Sequence, residues 1–570
     1  MPQTLPRNAE LADQLDLLAD LSEILEEESF KVVAYRRAAG RIREAAVPIA
    51  ELALAGTAKE LPGIGKTIEA KVVEVVEDGE MHALTKRRGL VPAGVVDFLR
   101  LPGVGPKTAA RIWTQLGVTS LDGLRTAAEQ GRLRDLSGMG AKSEAKILKA
   151  LEAGVGDEVE PRRLLAQGLP AVRRVVAELS AHPAALAVSE AGSVRRRRET
   201  VRDLDLVATS TDPPALVDAF CEGGWAAEVV ARGDTKATVV GHDGLRFDLR
   251  VVPHECYGNV LQHFTGSKDH NIALREEAQR RGLSISEYGV TDVETGEVVT
   301  HASEDELYAF LGYATPPPEL REGTAEIATA RADALPALVE VGDLRGEMHC
   351  HSTWSADGKG SLEEMALGAK ARGYAFMCIT DHSHYLRNGR LEAQWREIEE
   401  LNGRLGRFTV YRGIEVNIRA DGSLDVDDET LEQLDWVVAS LHTSFDRSPT
   451  ERIVGAMENP NVDCIGHLTG RRLLKRDGAP VDVERVVAKA VETGTALEVN
   501  SQPDRLDIRD AHARLAGEAG VLIPVTTDAH SVGALDYAEL GIAQARRAWL
   551  TKEQVLNTRT WREIAKLKKR

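Results

Sequence analysis

The chain reads as a multidomain α+β and α/β protein, and three observations predict this. A turn containing a glycine pair recurs three times in the first 150 residues, each time ahead of a helical segment. Around residues 203–252, two stretches alternate polar and apolar side chains with period two, as half-buried strands do. In the last third, short apolar runs at 376–380, 437–440, 496–499 and 522–526 fit a parallel sheet, with histidines and acids at strand ends.

Length and charge frame these elements. At 570 residues the chain exceeds one core, and roughly 100–200 residues per domain gives three to five domains. Apolar content of 43% and charged content of 28% are those of ordinary soluble domains. A formal charge of −18 opposes general nucleic-acid binding, because affinity for a polyanion comes from Lys and Arg neutralising phosphates. Local distribution differs: residues 31–43 hold five basic and no acidic side chains, and Arg195, Arg196, Arg197 and Arg198 are consecutive. A solvated helix face also accounts for such runs. Cys221, Cys256, Cys350, Cys378 and Cys464 form no C-x-x-C and fit reduced thiols. The start lacks a signal-peptide apolar core and no apolar run reaches about 18 residues, so the expectation is a cytoplasmic protein without a membrane partner.

From Asn8, a candidate N-cap, Leu11, Leu15, Leu18, Leu21 and Leu25 recur at helical spacing and are expected to be core. The repeat follows: Leu61-Pro62-Gly63-Ile64-Gly65-Lys66, Leu101-Pro102-Gly103-Val104-Gly105-Pro106 and Leu136-Ser137-Gly138-Met139-Gly140-Ala141. Paired glycines permit a tight turn that aims backbone N–H groups and a helix N-terminus at a phosphate. A single such turn is more often plain capping. Three with the same flanks resemble helix-hairpin-helix motifs, which grip DNA backbones without reading sequence.

The middle of the chain carries the first chemistry. In a strand beginning near Arg202, Asp203 and Asp205 share one face while Leu204 and Leu206 point into a core. Asp248 sits in a second alternating strand, 245–252, joined to 235–240 by a hairpin turn at His242-Asp243-Gly244. If the strands are neighbours, three carboxylates converge, the ligand set for two Mg²⁺ or Mn²⁺ ions ~3.5–4 Å apart in phosphoryl transfer. A D-x-D on an exposed strand edge is the plain alternative for Asp203 and Asp205 alone. Gly192, Ser193 and Arg196 just upstream suit a polyphosphate held by backbone donors, a hydroxyl and a guanidinium fork.

These residues, with Phe264-Thr265-Gly266-Ser267, Asn271 and Arg275, resemble the palm and thumb of family X DNA polymerases, the relatives of DNA polymerase beta. The resemblance implies that Asp203, Asp205 and Asp248 are catalytic metal ligands and that Asp248 helps deprotonate the primer 3′-hydroxyl. It implies that Ser193 and Arg196 hold the triphosphate of a dNTP, Phe264 and Gly266 line its sugar, Asn271 reads its base and Arg275 contacts the template. His263 stands where many relatives have Tyr, and Arg202 where many have Gly. Near the N-terminus the resemblance implies a 5′-deoxyribose phosphate lyase with Lys71 as Schiff-base nucleophile and Lys31 and Tyr35 as phosphate contacts. Thr67 replaces a phosphate-binding Lys of the family, and a plain surface lysine remains the alternative for Lys71.

The second chemistry begins at Glu347-Met348-His349-Cys350-His351, where His349 and His351 share a strand face and Cys350 opposes them. Asp357, His382, Glu415, His442, His467, Asp528 and His530 follow at strand ends. Six histidines and three carboxylates make a mixed N/O set suited to Zn²⁺, Mn²⁺ or Fe²⁺. Order and spacing resemble a PHP (polymerase and histidinol phosphatase) domain, which implies a distorted (β/α)7 barrel, a trinuclear site and a phosphate contact at Arg505.

The domain division expected is a lyase-like helical domain at 1–80, a second helix-hairpin-helix domain at 81–158, a nucleotidyltransferase palm at 159–260, a thumb at 261–315, a linker at 316–344 and the PHP domain at 345–570. Together the resemblances imply a bacterial-type repair polymerase that fills short gaps in primer-template DNA and trims 3′ ends. It would be a nucleoid-associated monomer. An abasic endonuclease or phosphatase whose palm only holds DNA is the rival. Because the two ligand sets do not overlap, a fragment from about 340 to 570 is expected to keep metal and hydrolyse DNA alone.

Overall fold

The structure is a computed structural model describing residues 5–568 except 7, 46–48, 62, 102, 137–138 and 154–161. Two compact units divide at residue 161.

In the first unit, helix Asn8–Ile24 buries Leu11, Leu15, Leu18 and Leu21 completely, as their spacing requires, and Leu25 follows its end. Asn8 is the first residue of the helix, and its side chain accepts from the Ile49 N–H and donates to the Ala45 carbonyl. Gly63 and Gly103 take φ of +88° and +81°, values that disfavour a Cβ, and Gly65 and Gly105 lead into helices Lys66–Asp78 and Pro106–Leu116. Gly140 precedes helix Ala141–Ala153, while Gly138 lies outside the described residues. The basic run is less open than its composition suggests. On helix Ser29–Glu44, Arg36 pairs with Asp20 and Glu23, Arg43 with Asp13 and Asp16, and Lys31 with Glu28.

The second unit holds a five-stranded mixed sheet ordered Ala185–Glu190, Asp203–Ser210, Arg246–Val252, Lys236–Gly241, Ala226–Arg232. Its two central strands run parallel. Leu204, Leu206, Phe247 and Leu249 pack on helices Leu165–Ser180 and Pro213–Glu222, so the intervening aspartates face the other way. Helices Tyr257–Thr265, Lys268–Gln279 and Glu304–Phe310 and a small antiparallel sheet follow.

The stretch expected as a linker, 316–344, is packed rather than extended. Arg321 is wholly buried, donating to the Pro316 carbonyl and pairing with Glu304; Glu326 is buried against His270. Arg546 and Lys552 of the C-terminal domain bind Glu319 and Asp343.

The C-terminal domain is a curled parallel sheet in sequential order, from Gly346–Cys350 through Phe376–Ile379, Thr409–Asn417, Trp436–Ser440 and Cys464–Ile465 to Ala496–Leu497. Val499–Asn500 pairs in parallel with Val525–Thr526, and a parallel bridge from Ala529 to Cys350 leads back to the first strand. The barrel is not packed apart from the palm: its Leu506 and Leu540 are buried within the palm's apolar core, joined by Leu473 and Tyr537. This cuts against the expectation of an independent fragment.

Candidate active sites

Parallel pairing aligns Asp205 with Asp248 and Asp203 with Arg246, so the three carboxylates lie together on the sheet face opposite the helices. Asp248 is oriented from both sides, accepting from Thr238 Oγ1 at 2.5 Å and from Arg246 Nε at 2.8 Å. Burial, and then Asp203 and Asp248, push the Asp205 carboxyl up to about 7 against the pull of Arg196 and Arg246. Such crowding of acids fits divalent cations, whose charge reverses the local repulsion. Gly192 belongs to this geometry: at φ +62°, a Cβ there would lie 2.1 Å from Asp205 Oδ2.

The expected nucleotide contacts are close by but engaged. Gly192 and Ser193 begin the short helix Gly192–Arg195. Arg195 forks onto Glu304 and donates to Thr265, Arg197 pairs with Glu190, and Arg196 donates to the Thr265 carbonyl and pairs with Glu322 at 3.2 Å. Arg195 and Arg196 thus fasten thumb to palm, which a basic run in the sequence did not reveal. Gly266, at φ +67°, lies against Arg196, and Phe264 carries the Arg250 guanidinium 4.5 Å above its ring. Asn271 donates to the His263 carbonyl and accepts from Gln262, and Arg275 donates to His263 Nδ1 at 3.2 Å.

In the barrel all nine expected ligands converge around Glu415. One of its oxygens is 3.0 Å from His467 and 3.2 Å from His442; the other is 2.7 Å from His382, 3.6 Å from His349 and 3.7 Å from His351. Asp528 lies 3.1 Å from His351, and Asp357 lies 3.4 Å from both His382 and His530. Among the described residues, three groups place ligand atoms within 4.8 Å of one another: His351 with His382 and His530, His349 with His351 and Glu415, and His382 with Glu415 and His442.

Unpaired atoms test whether metals fit. His349 Nε2, His351 Nδ1, His382 Nδ1, His467 Nδ1 and Glu415 Oε2 are buried without a hydrogen-bond partner. Orphaned buried polar atoms are costly, and several of them on neighbouring imidazoles and a carboxylate suit bound cations. Burial opposes ionisation of Glu415, yet the imidazoles of His442, His382 and His349 hold its carboxyl well below the usual range.

Several supporting residues escaped the sequence reading. Glu498 accepts from His349 Nδ1 at 2.6 Å and from Thr526 Oγ1, fixing the tautomer that presents Nε2 to the cluster. Asn417 does the same for His442 at 2.6 Å, and the Asp528 carbonyl for His530 at 2.8 Å. One signal for Glu498 was available: it is an acid flanked by fully buried Leu497 and Val499. Arg505 follows on the turn after Asn500, its charge acting on His467.

In the first unit, Lys71 is buried, 5.9 Å from the Tyr35 ring, and desolvation pulls its ammonium below the usual lysine range. Lys31 lies exposed on the neighbouring helix.

Comparison with known proteins matches the helical, thumb and barrel regions. Family models match for a helix-hairpin-helix domain at 6–81, a SAM-like helix-hairpin-helix tandem at 95–153, the DNA polymerase beta thumb at 260–322 and the PHP domain at 347–501. The DNA polymerase/3′-5′ exonuclease PolX of Bacillus subtilis is 39% identical, over 98% of both chains. A probable phosphatase of Caldicellulosiruptor bescii is 31% identical over 33% of this chain and 80% of its own. Rat DNA polymerase lambda is 24% identical over 54% of each chain. With carboxylate palm, polymerase thumb and imidazole-lined barrel in one chain, and with a full-length relative at this identity, the chain belongs to the PolX family of bacterial family X DNA polymerases with a C-terminal PHP domain.

Proposed function

We propose that this protein extends primers in short DNA gaps at its palm and trims 3′ ends in its barrel, each with its own divalent ions. What supports this is the coexistence of two separate clusters, three carboxylates on adjacent strands and six histidines and two aspartates gathered about Glu415.

In the palm, Asp203, Asp205 and Asp248 would hold Mg²⁺ or Mn²⁺, which supply charge neutralisation and polarise the attacking and leaving oxygens. Asp248 accepts the proton of the 3′-hydroxyl. Ser193 and Arg196 bind the triphosphate, for which Arg196 must exchange Glu322 for a phosphate oxygen. Phe264 and Gly266 border the sugar, Asn271 faces the base and Arg275 the template. Glycine turns at 63, 65, 103, 105, 138 and 140 grip the DNA backbone.

In the barrel, the nine ligands would hold up to three ions of Zn²⁺, Mn²⁺ or Fe²⁺, which activate water and act as Lewis acids. Arg505 binds the scissile phosphate and opposes the charge that builds on it. Glu498 and Asn417 keep His349 and His442 in register.

A gapped primer-template incubated with and without dNTPs tests the pairing. Extension with dNTPs and stepwise shortening without them is the expected result; a chain that does neither in Mg²⁺ or Mn²⁺ overturns it. Metal analysis identifies the resident ions.

Burial of Lys71 beneath Tyr35 favours a lyase activity as well. A lysine whose ammonium is destabilised offers more free amine for Schiff-base formation. Borohydride should trap a covalent adduct with 5′-deoxyribose phosphate DNA, and Lys71→Ala should abolish it.

A further inference from the structure

Glu199 lies in the polymerase half, three residues after Arg196, and its carboxylate faces the barrel. It accepts from Arg471 Nη2 at 3.0 Å and Gln544 Nε2 at 3.3 Å, both barrel residues. Those two donors also reach the Leu506 carbonyl, and Gln544 reaches that of Ile508. Leu506 is itself 1% exposed inside the palm core and holds φ +42°, a left-handed backbone that a leucine adopts only where surrounding contacts impose it. The same turn grips the metal cluster at its other end. Asn500 Nδ2 donates to Asp528 Oδ2 at 3.0 Å, and Gln502 Nε2 donates to the Asp528 carbonyl at 2.6 Å and the Thr527 carbonyl at 3.0 Å. Arg505 sits between the two grips.

We propose that Glu199 is a positioning residue for the phosphoesterase site: from the palm it clamps the 500–507 turn through Arg471 and Gln544, and that turn sets the metal ligand Asp528 and Arg505. This rests on the reading of the barrel as a metal-dependent phosphoesterase. The clamp makes the barrel's site depend on the polymerase half, although the nine candidate ligands all belong to the barrel. Removing the carboxylate leaves the half-buried Arg471 guanidinium without its main acid partner, and the turn is free to relax.

The test uses the full chain loaded with Mn²⁺. In Glu199→Ala, transfer of Mn²⁺ to a chelating dye and loss of 3′-nucleotide release from single-stranded DNA are both expected to change about tenfold, the scale of an outer-shell partner. Glu199→Asp should recover part of both. A general loss of stability would act alike in every background, so the decisive measurement is a cycle with Gln502→Ala. If Glu199 works through the turn, Glu199→Ala costs less than twofold once Gln502 no longer holds Asp528. Equal losses in both backgrounds overturn the proposal, as does a folded Glu199→Ala chain within twofold of wild type in Mn²⁺ retention and turnover. The readouts separate two failures: a parent chain that cleaves no DNA end overturns the phosphoesterase reading, while Mn²⁺ retention still judges the clamp.

Discussion

On the proposed reading the palm and the barrel solve the same problem, activating a phosphate ester with divalent cations, from opposite starting points. The palm offers three carboxylates, one of them partly satisfied by Thr238 and Arg246, and Arg196 close by is occupied by Glu322. Few ligands of one charge sign suit ions that arrive with the nucleotide, whose phosphates complete the coordination. The barrel offers four imidazoles with a buried nitrogen that has no hydrogen-bond partner, and it holds His349, His442 and His530 by their Nδ1 atoms through Glu498, Asn417 and the Asp528 carbonyl. That is a site built for resident ions. One centre assembles with substrate; the other is preorganised by the fold.

The largest effects should come from breaking each centre alone. Asp248→Ala is expected to lower primer extension by about 10³-fold or more while leaving 3′-end trimming intact, and His349→Ala to do the reverse and deplete bound metal. Measuring both activities in both variants checks the assignment. Cross-inactivation, with either variant losing both, would erase the distinction drawn between the sites.

Removing the palm altogether sharpens the comparison next. A chain of residues 340–570 retains every barrel ligand, but it exposes Leu473, Leu506, Leu540 and Tyr537 and loses Glu199. Uncovering these two buried leucines costs up to about 3–6 kcal/mol. The fragment is therefore expected to be less stable and at least tenfold slower per bound metal than the whole protein, read by thermal unfolding and nucleotide release. Equal turnover would show that the palm contributes only DNA affinity.

A smaller effect concerns stability. The Asp205 carboxyl titrates near 7 in the fold, above its unfolded value, so its ionisation opposes folding. The sign follows: the metal-free fold loses stability as pH rises from the unfolded pKa, and the full loss is present above about 7. Asp205→Asn should raise metal-free stability at pH 8 by roughly 1–3 kcal/mol, while abolishing extension. A denaturant titration at pH 8 and again at pH 4 checks this, the gain being confined to the higher pH.

Legibility of the sites followed the range of the interactions. Alternation within Asp203–Ser210 and Arg246–Val252 put the three aspartates on one face, because strand period two is a local property. His349 and His351 declared themselves by the same rule. Arg195, Arg196 and Arg197 did not: their partners Glu304, Glu322 and Glu190 are 109, 126 and 7 residues away, and no run of basic residues says which acids will meet it. The 316–344 stretch read as a spacer from its prolines and alanines, yet Arg321 and Glu326 within it are buried by contacts with the thumb. Glu199 and Arg471, 272 residues apart, belong to the same class of contact.

The smallest predicted effect lies at His263, the position for which the resemblance to family X polymerases implies a tyrosine. The ring is half-buried, edge-on to Phe264 at 5.4 Å between centroids, and its Nδ1 accepts from Arg275. Burial lowers its pKa, with Glu287 opposing and Arg275 and Arg250 reinforcing, so it stays neutral at neutral pH. Its backbone carbonyl is tied to Asn271, which fixes the segment beside the expected sugar pocket. A tyrosine there has a longer ring and cannot replace the Nδ1 acceptor in the same place, so it would reach further toward the sugar and loosen Arg275. His263→Tyr is therefore expected to reject ribonucleotides more strongly, by about three- to tenfold in the ratio of kcat/KM for dNTP over rNTP, the scale of one altered steric contact. Single-nucleotide incorporation into a gapped substrate measures the ratio. An unchanged ratio with unchanged extension would place His263 away from the sugar and assign sugar discrimination in this palm to the Phe264 and Gly266 backbone instead.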